Sequence, residues 1–135
     1  MAKKITFSFN ETTFEVFMRD GIAVTHWGNS MFKHKVSVKA NDVTITFSFY
    51  DHNECNANPI DALECFIDDC LCATETFYDF CNELGYDCDS REAMKSYREC
   101  GFSLNKAMKL GLSEDDLVEL INQIREDKIT FSEKK

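Results

Sequence analysis

The chain has 135 residues, 44% of them apolar and 29% charged, with a formal net charge of −9. That length fits one domain able to bury a core without a metal or disulfide, and the composition excludes overall disorder. No run of about 18 apolar residues exists, which excludes a membrane-spanning helix, and the acidic balance repels nucleic acid and anionic lipid while favouring cationic surfaces.

The first fifty residues have the period-2 pattern of strands. In "KITFSF", Ile5, Phe7 and Phe9 alternate with Thr6 and Ser8. "TFEVFM" follows Asn10–Glu11, and Asp20–Gly21 predicts a hairpin turn into "IAVTHW". After a break at Gly28–Asn29, "FKHKVSVK" sets Phe32, His34, Val36 and Val38 against Lys33, Lys35, Ser37 and Lys39. Beyond Asn41–Asp42, "VTITFSFY" places Val43, Ile45, Phe47 and Phe49 on one face. The expectation is four or five antiparallel strands, apolar on one side.

After Asp51 the period lengthens. "HNECNAN" reads as a loop, and Asn58–Pro59 as a cap with a first-turn proline. Ile60, Leu63, Ile67, Cys70 and Leu71 form a helical stripe. Thr74 restarts a helix with Phe77, Phe80, Cys81 and Leu84 inward, ended by Gly85. Asp89 with Glu92 resembles a capping box opening a helix whose stripe is Ala93, Met94, Tyr97, Cys100 and Leu104, with room to continue to Leu110 through a soft spot at Gly101. Ser113 and Asp116 cap a last helix with Leu117, Leu120, Ile121 and Ile124 inward, and "DKITFSEKK" is a polar tail with room for one short strand. Strands followed by helices predict a single α+β domain over 1–135: sheet 1–50, three or four helices across 58–126 packed on one sheet face, and tail 127–135.

Charge divides the same way. Residues 1–50 carry six bases and four acids; residues 51–135 carry nine bases and twenty acids. From Ala40 to Ser90 there are twelve carboxylates and no Lys or Arg. Asp61, Glu64 and Asp68, with Asp69 alongside, share one helix face; Glu75, Asp79 and Glu83 are spaced i, i+4 on the next; Asp87 and Asp89 follow. Like charges four apart cost roughly 0.2–0.5 kcal/mol per pair. They also stand about 6 Å apart along a helix, close to alternate phosphates of a nucleic-acid strand. These nine acids are the candidate partner-binding residues, fitted to a Lys/Arg-lined surface. The rival reading is a merely solvated acidic face.

Other constellations are weaker. The seven cysteines, Cys55, Cys65, Cys70, Cys72, Cys81, Cys88 and Cys100, contain no C-x-x-C. Cys70, Cys81 and Cys100 lie on apolar stripes and read as packing residues. Cys55, Cys72 and Cys88 lie near loops and are within sequence reach of His52 for a metal or thiol site, which stays an alternative. No metal site or cofactor is expected. His26 and His34 read as structural or surface side chains. Phe7, Phe9, Phe47 and Phe49 read as core. Lys33, Lys35 and Lys39 make a modest basic patch on the polar sheet face, an alternative nucleic-acid contact.

The stretches "PIDALECFIDDC" and "FYDFCNELGYDCDSREAMKSYREC" resemble a loose group of small cytosolic proteins from bacteriophages and other mobile elements. The shared pattern is aromatic–x–x–Phe–Cys–x–Glu–x–Gly–Tyr–x–x–Asp–Ser–Arg–x–Ala, here Phe77 to Ala93, while "CGFSLNKAMKLGL" departs from it. The resemblance implies a phage or mobile-element origin, and by type an anti-defence inhibitor, anti-CRISPR proteins included. The expectation is a non-enzymatic protein of the host bacterial cytoplasm. Its acidic helices would bind the basic nucleic-acid-handling surface of a host protein or ribonucleoprotein, a CRISPR effector among the candidates. The N-terminal "MAKKITFSFN" has two lysines and then alternates apolar with polar, so it is not expected to form a signal-peptide core.

Overall fold

A computed structural model describes residues 3–26, 28–52 and 58–134. The architecture is α+β: five N-terminal antiparallel strands, then four helices, with a sixth short strand at the end. In chain order, β1 is Lys3–Phe9, β2 Thr12–Met18, β3 Ile22–His26, β4 Asn29–Ala40 and β5 Val43–Asp51. The helices are α1 Pro59–Cys72, α2 Phe77–Leu84, α3 Arg91–Lys109 and α4 Glu114–Arg125, followed by β6 Ser132–Lys134. Among the described residues no helix is long and apolar enough to cross a membrane.

Strand β4, twelve residues long, organises the sheet. On one edge it pairs with all of β5, from Ala40↔Val43 to Phe32↔Asp51. Its other edge is shared: β2 takes Val36–Lys39 and β3 takes Asn29–Lys33. Strand β1 lies outside β2, and β6 outside β1. The polar tail therefore ends as an edge strand.

Two of the turns follow the hairpin chemistry expected of them. Asn10 and Glu11, and again Asn41 and Asp42, hold φ between +49° and +64° in two-residue loops, the twist that matches antiparallel strands. Asp20–Gly21 is different. Met18 opposes Val36 and Ile22 opposes Lys33, so Arg19, Asp20 and Gly21 face only His34 and Lys35. The Arg19 amide still donates to the Lys35 carbonyl at 3.2 Å. This is a β-bulge that passes one strand direction from β2 to β3, replacing the hairpin turn expected from the sequence.

The bulge has a packing reason. His34 is 1% exposed and stacks on Phe49 with ring centroids 5.0 Å apart. A Cβ on Gly21 would fall 2.5 Å from Cε1 of that ring, so only glycine lets the backbone cross it. Among the described residues neither ring nitrogen has a hydrogen-bond partner; Asp51 Oδ2, at 4.0 Å from Nε2, is beyond hydrogen-bond range.

The apolar sheet face carries Ile5, Phe7, Phe9, Phe14, Val16, Val36, Val38, Ile45 and Phe47, all buried. Helix α1 lies over it and presents Ala62, Leu63, Phe66 and Ile67; Phe66 meets Phe47 at 4.6 Å between ring centroids. Helix α4 adds Leu117, Leu120, Ile121 and Ile124 as expected, behind a complete Ser113–Asp116 capping box. A second, smaller cluster of Phe80, Cys81, Ala93 and Cys100 joins α2 and α3 away from the sheet, flanked by Cys72, Phe77, Tyr86, Cys88 and Tyr97.

Three helix expectations need correction. Helix α2 starts at Phe77, because the Thr76 side chain accepts from the Asp79 amide; Thr74 instead donates to the Leu71 carbonyl. Helix α3 is capped by Ser90, which accepts from the Ala93 amide, while Asp89 stays in the preceding turn. Its continuation through Gly101 to a cap at Leu110 is as expected. Met94 and Leu84, expected inward, are exposed.

Gly21→Ala is expected to cost roughly 1–3 kcal/mol in urea denaturation, the range for forcing extra volume into a packed site. In a double-mutant cycle with His34→Ala the combined cost falls short of the sum by about 1 kcal/mol, because the shortened residue 34 makes room.

Candidate acidic face

Helix α1 begins where Asn58 Oδ1 accepts the Asp61 amide at 2.9 Å and Asn58 Nδ2 donates to the Asp61 carboxylate at 2.6 Å. With Leu63, Ile67 and Cys70 held inward, Asp61, Glu64 and Asp68 fall on the opposite side of the helix, while Cys65 and Cys72 pack at the margins of the two clusters. Helix α2 begins with the same device: Thr76 accepts the Asp79 amide and donates its hydroxyl to the Asp79 carboxylate at 2.9 Å.

These contacts sort the nine predicted acids. Asp61 and Asp79 stand three residues after a cap and stabilise helix N-termini, where negative charge is favoured. Asp87 Oδ1 accepts the Asp89 amide and shapes the turn into α3. Asp68 is paired with Arg125 Nη2 at 3.2 Å, a cation 57 residues away that the local sequence window cannot show. The side chains of Glu64, Asp69 and Asp89 have no hydrogen bond or ion pair among the described residues, and the Glu83 carboxyl meets only that of Glu75. Glu75 precedes α2 instead of belonging to it, yet it lies beside Glu83 and Asp79.

The acids of α1 and α2 form one field. Burial pushes the Cys72 thiol up to about 11, and Asp69, Glu75, Asp68 and Glu83, from both helices, push it further in that direction. Burial raises Glu75, and the neighbouring Glu83 and Asp79 carboxylates add to it. Burial raises Asp69 to about 6, helped by Asp68 and by Glu99 across on α3. No cation opposes these shifts in Glu75 or Asp69. Neither α1 nor α2 carries a base in its last turn, although Asp68, Asp69 and Glu83 stand near those negative dipole ends. Such placements cost roughly 0.3–1 kcal/mol each.

Glu99 was outside the acidic window read from the sequence, and nothing local marks it; only the packing of α3 on α1 brings it to Asp69. A second omission had a readable signal. Arg91, Lys95, Arg98 and Lys109 recur at helical spacing on the exposed face of α3, opposite the buried Ala93, Cys100, Ser103 and Ala107.

Five of the thiols, those of Cys65, Cys70, Cys72, Cys81 and Cys100, sit where burial disfavours the thiolate. Burial, then Asp69, pushes Cys65 to about 11 and Cys100 to about 12, and raises Cys70 as well. Burial also lifts Cys81 to about 11, with Cys88 adjacent. Thiolate is the reactive form, so none of these is activated at neutral pH. Cys72 and Cys88, expected near loops, pack against the α2–α3 cluster; Cys55 lies outside the described residues. Among the described residues no three His, Cys, Asp or Glu side chains are placed to hold a metal ion.

On the polar sheet face, Lys35 and Lys39 are exposed and Lys33 lies 6.0 Å from the Tyr50 ring. Glu15 opposes Lys39 across the ladder and binds Lys4 at 3.1 Å, which partly cancels the patch. Lys35 also lines a shallow hollow of about 240 Å³ with Phe17, Arg19, Ser37 and Thr46. Compared with family models, curated proteins and solved structures, the chain has no significant match.

Asp69 gives the face a pH signature. Its carboxyl is raised to about 6 in the fold against roughly 3.9 in the unfolded chain, so the unfolded state holds fewer protons between those values. Stability from this group is therefore lost as pH rises toward 6 and is at its lowest above that. Asp69→Asn is expected to stabilise the protein at pH 8 by about 2 kcal/mol, discounted for partial exposure, and to lose that advantage near pH 4. Urea melts of both proteins at the two pH values measure it.

Proposed function

We propose that the protein acts by binding, with the joined acidic face of α1 and α2 docking on a Lys/Arg-lined surface that otherwise holds nucleic acid. The observation that supports this most is the gathering around Cys72 of carboxylates from both helices, Asp68, Asp69, Glu75 and Glu83, of which Asp68 alone has a cation paired with it among the described residues, Arg125. Ordinary surfaces intersperse the two signs, and carrying one sign at helix C-termini is destabilising. A partner with the opposite charge offsets that cost on association and steers the encounter. The acids assigned to docking are Glu64, Glu75 and Glu83, with Asp69 and Asp89 at the margins.

The resemblance of Phe77–Ala93 to phage and mobile-element proteins adds the setting. On this reading the owner of the basic surface is a nucleic-acid-handling effector of host defence in the bacterial cytoplasm, a CRISPR effector being one such assembly. The mechanism is competition for its nucleic-acid groove, and no bond is made or broken. A second reading, contact with nucleic acid through Lys33, Lys35 and Lys39, has the hollow beside Lys35 in its favour and the Glu15 counter-charge against it.

Immobilised protein is expected to retain a nucleic-acid-handling complex from bacterial lysate at about 50 mM salt and to release it at about 500 mM. Reversing Glu64, Glu75 and Glu83 to Lys is expected to weaken that retention by roughly 100-fold or more. Asp61 and Asp79 are spared so that both helix caps remain. Retention that ignores salt and survives the reversal refutes the proposal, and a gel shift of RNA or DNA abolished by Lys35→Glu transfers support to the sheet face.

A further inference from the structure

Helix α3 carries the opposite charge on its outer face. Arg91, Arg98, Phe102 and Lys109 are separated by 7, 4 and 7 residues, which keeps them on one line about 27 Å long. Lys95 and Met94 flank that line, and with Arg91, Arg98, Glu99 and Phe102 they bound a shallow groove of about 400 Å³. Arg91, Lys95, Arg98 and Lys109 make no hydrogen bond or ion pair among the described residues. In a chain of net charge −9, four unpaired cations on one helix face are a concentrated exception.

Apolar side chains stand among them. Phe102 is 62% exposed and Met94 39%. The acidic side has its own pair on α2: Tyr78, between Glu75 and Glu83, is 71% exposed, and Leu84, next to Glu83, is 52% exposed. The two sides adjoin. Glu99 borders the groove and also acts on Asp69 of α1, and the Tyr97 hydroxyl donates to the Glu75 carbonyl at 2.7 Å, tying α2's start to α3.

Adjacent patches of opposite sign are self-complementary about a two-fold axis passing between them, since each patch then meets its opposite on the other copy. We propose that a second copy of this chain covers this face. The Arg91–Arg98–Lys109 line of each protomer meets the Glu75–Glu83 side of its partner, and Phe102 and Met94 pack near Tyr78 and Leu84. Nucleic acid fits the line less well, because Glu99 sits in the groove and the net charge opposes a polyanion. The dimer is independent of the cationic partner proposed above and competes with it for the acidic face.

Sedimentation velocity at about 20 mM and about 500 mM salt tests the pairing. The wild type is expected to sediment as a dimer at low salt, with Kd weakened roughly tenfold or more at high salt. Arg91→Glu with Arg98→Glu, and separately Glu75→Lys with Glu83→Lys, are each expected to be monomeric. An equimolar mixture of the two variants is expected to recover the dimer, which misfolded variants could not do. A wild type that is monomeric at low salt, or a dimer indifferent to both variants, overturns the proposal. So does a monomer that binds a short RNA through Arg91 and Arg98. The Arg variant leaves Glu64, Glu75 and Glu83 in place, so retention of a cationic partner by it is read separately.

Discussion

The structure depends on strand β4 being long enough to serve two neighbours on one edge while pairing fully with β5 on the other. That arrangement makes a continuous sheet from a chain segment that must turn slightly midway, and the turn is made by the bulge at Arg19–Gly21. The bulge in turn requires a residue without a side chain above His34. Because the alternation of buried and exposed residues is kept along β4 from His34 to Ala40, one uninterrupted apolar face is available to α1. The helices then assemble around α1, which touches β1, β2, β5, α3 and α4.

Much of this was legible before any coordinates. The period-2 runs located β1, β2, β4 and β5, since each has one face buried by helices and the other facing outward. Asn58–Pro59 and Ser113–Asp116 marked helix starts, because capping is local chemistry. Asp20–Gly21 misled for the converse reason: an Asp-Gly pair serves hairpin and bulge alike, and only the register of β4 decides between them. The start of α2 was misplaced because Thr74 and Thr76 are equivalent by type; the one whose oxygen reaches the amide three residues on is a matter of geometry.

The acidic face was legible in outline and wrong in detail. A charge window records sign along the chain, so it found the acids of α1 and α2 but assigned them a common duty. In space Asp61 and Asp79 serve caps, Asp68 faces Arg125, and Asp69 faces Glu99. What remains is a smaller set with a clearer character: carboxylates with no cation paired to them among the described residues, two of which, Asp69 and Glu83, stand on helix ends that disfavour them. Meanwhile the cations of α3 are segregated onto their own line, so the helical layer shows two signs side by side instead of a mixture.

The division of the interior into two clusters carries a dynamic consequence. The larger one binds sheet, α1 and α4 into a unit, whereas α2 is anchored to the first half of α3 by the small cluster of Phe80, Cys81, Ala93 and Cys100 with its flanking Phe77, Tyr86 and Tyr97. Free energies of local opening follow the amount of apolar surface each region buries. Amide protons of α2 should accordingly exchange through a small hinge-like excursion that leaves the sheet intact. Whatever seats itself on Tyr78 and Glu83 would hold that excursion shut, so occupancy of the outer surface would register as slowed exchange in the thin nucleus beneath it.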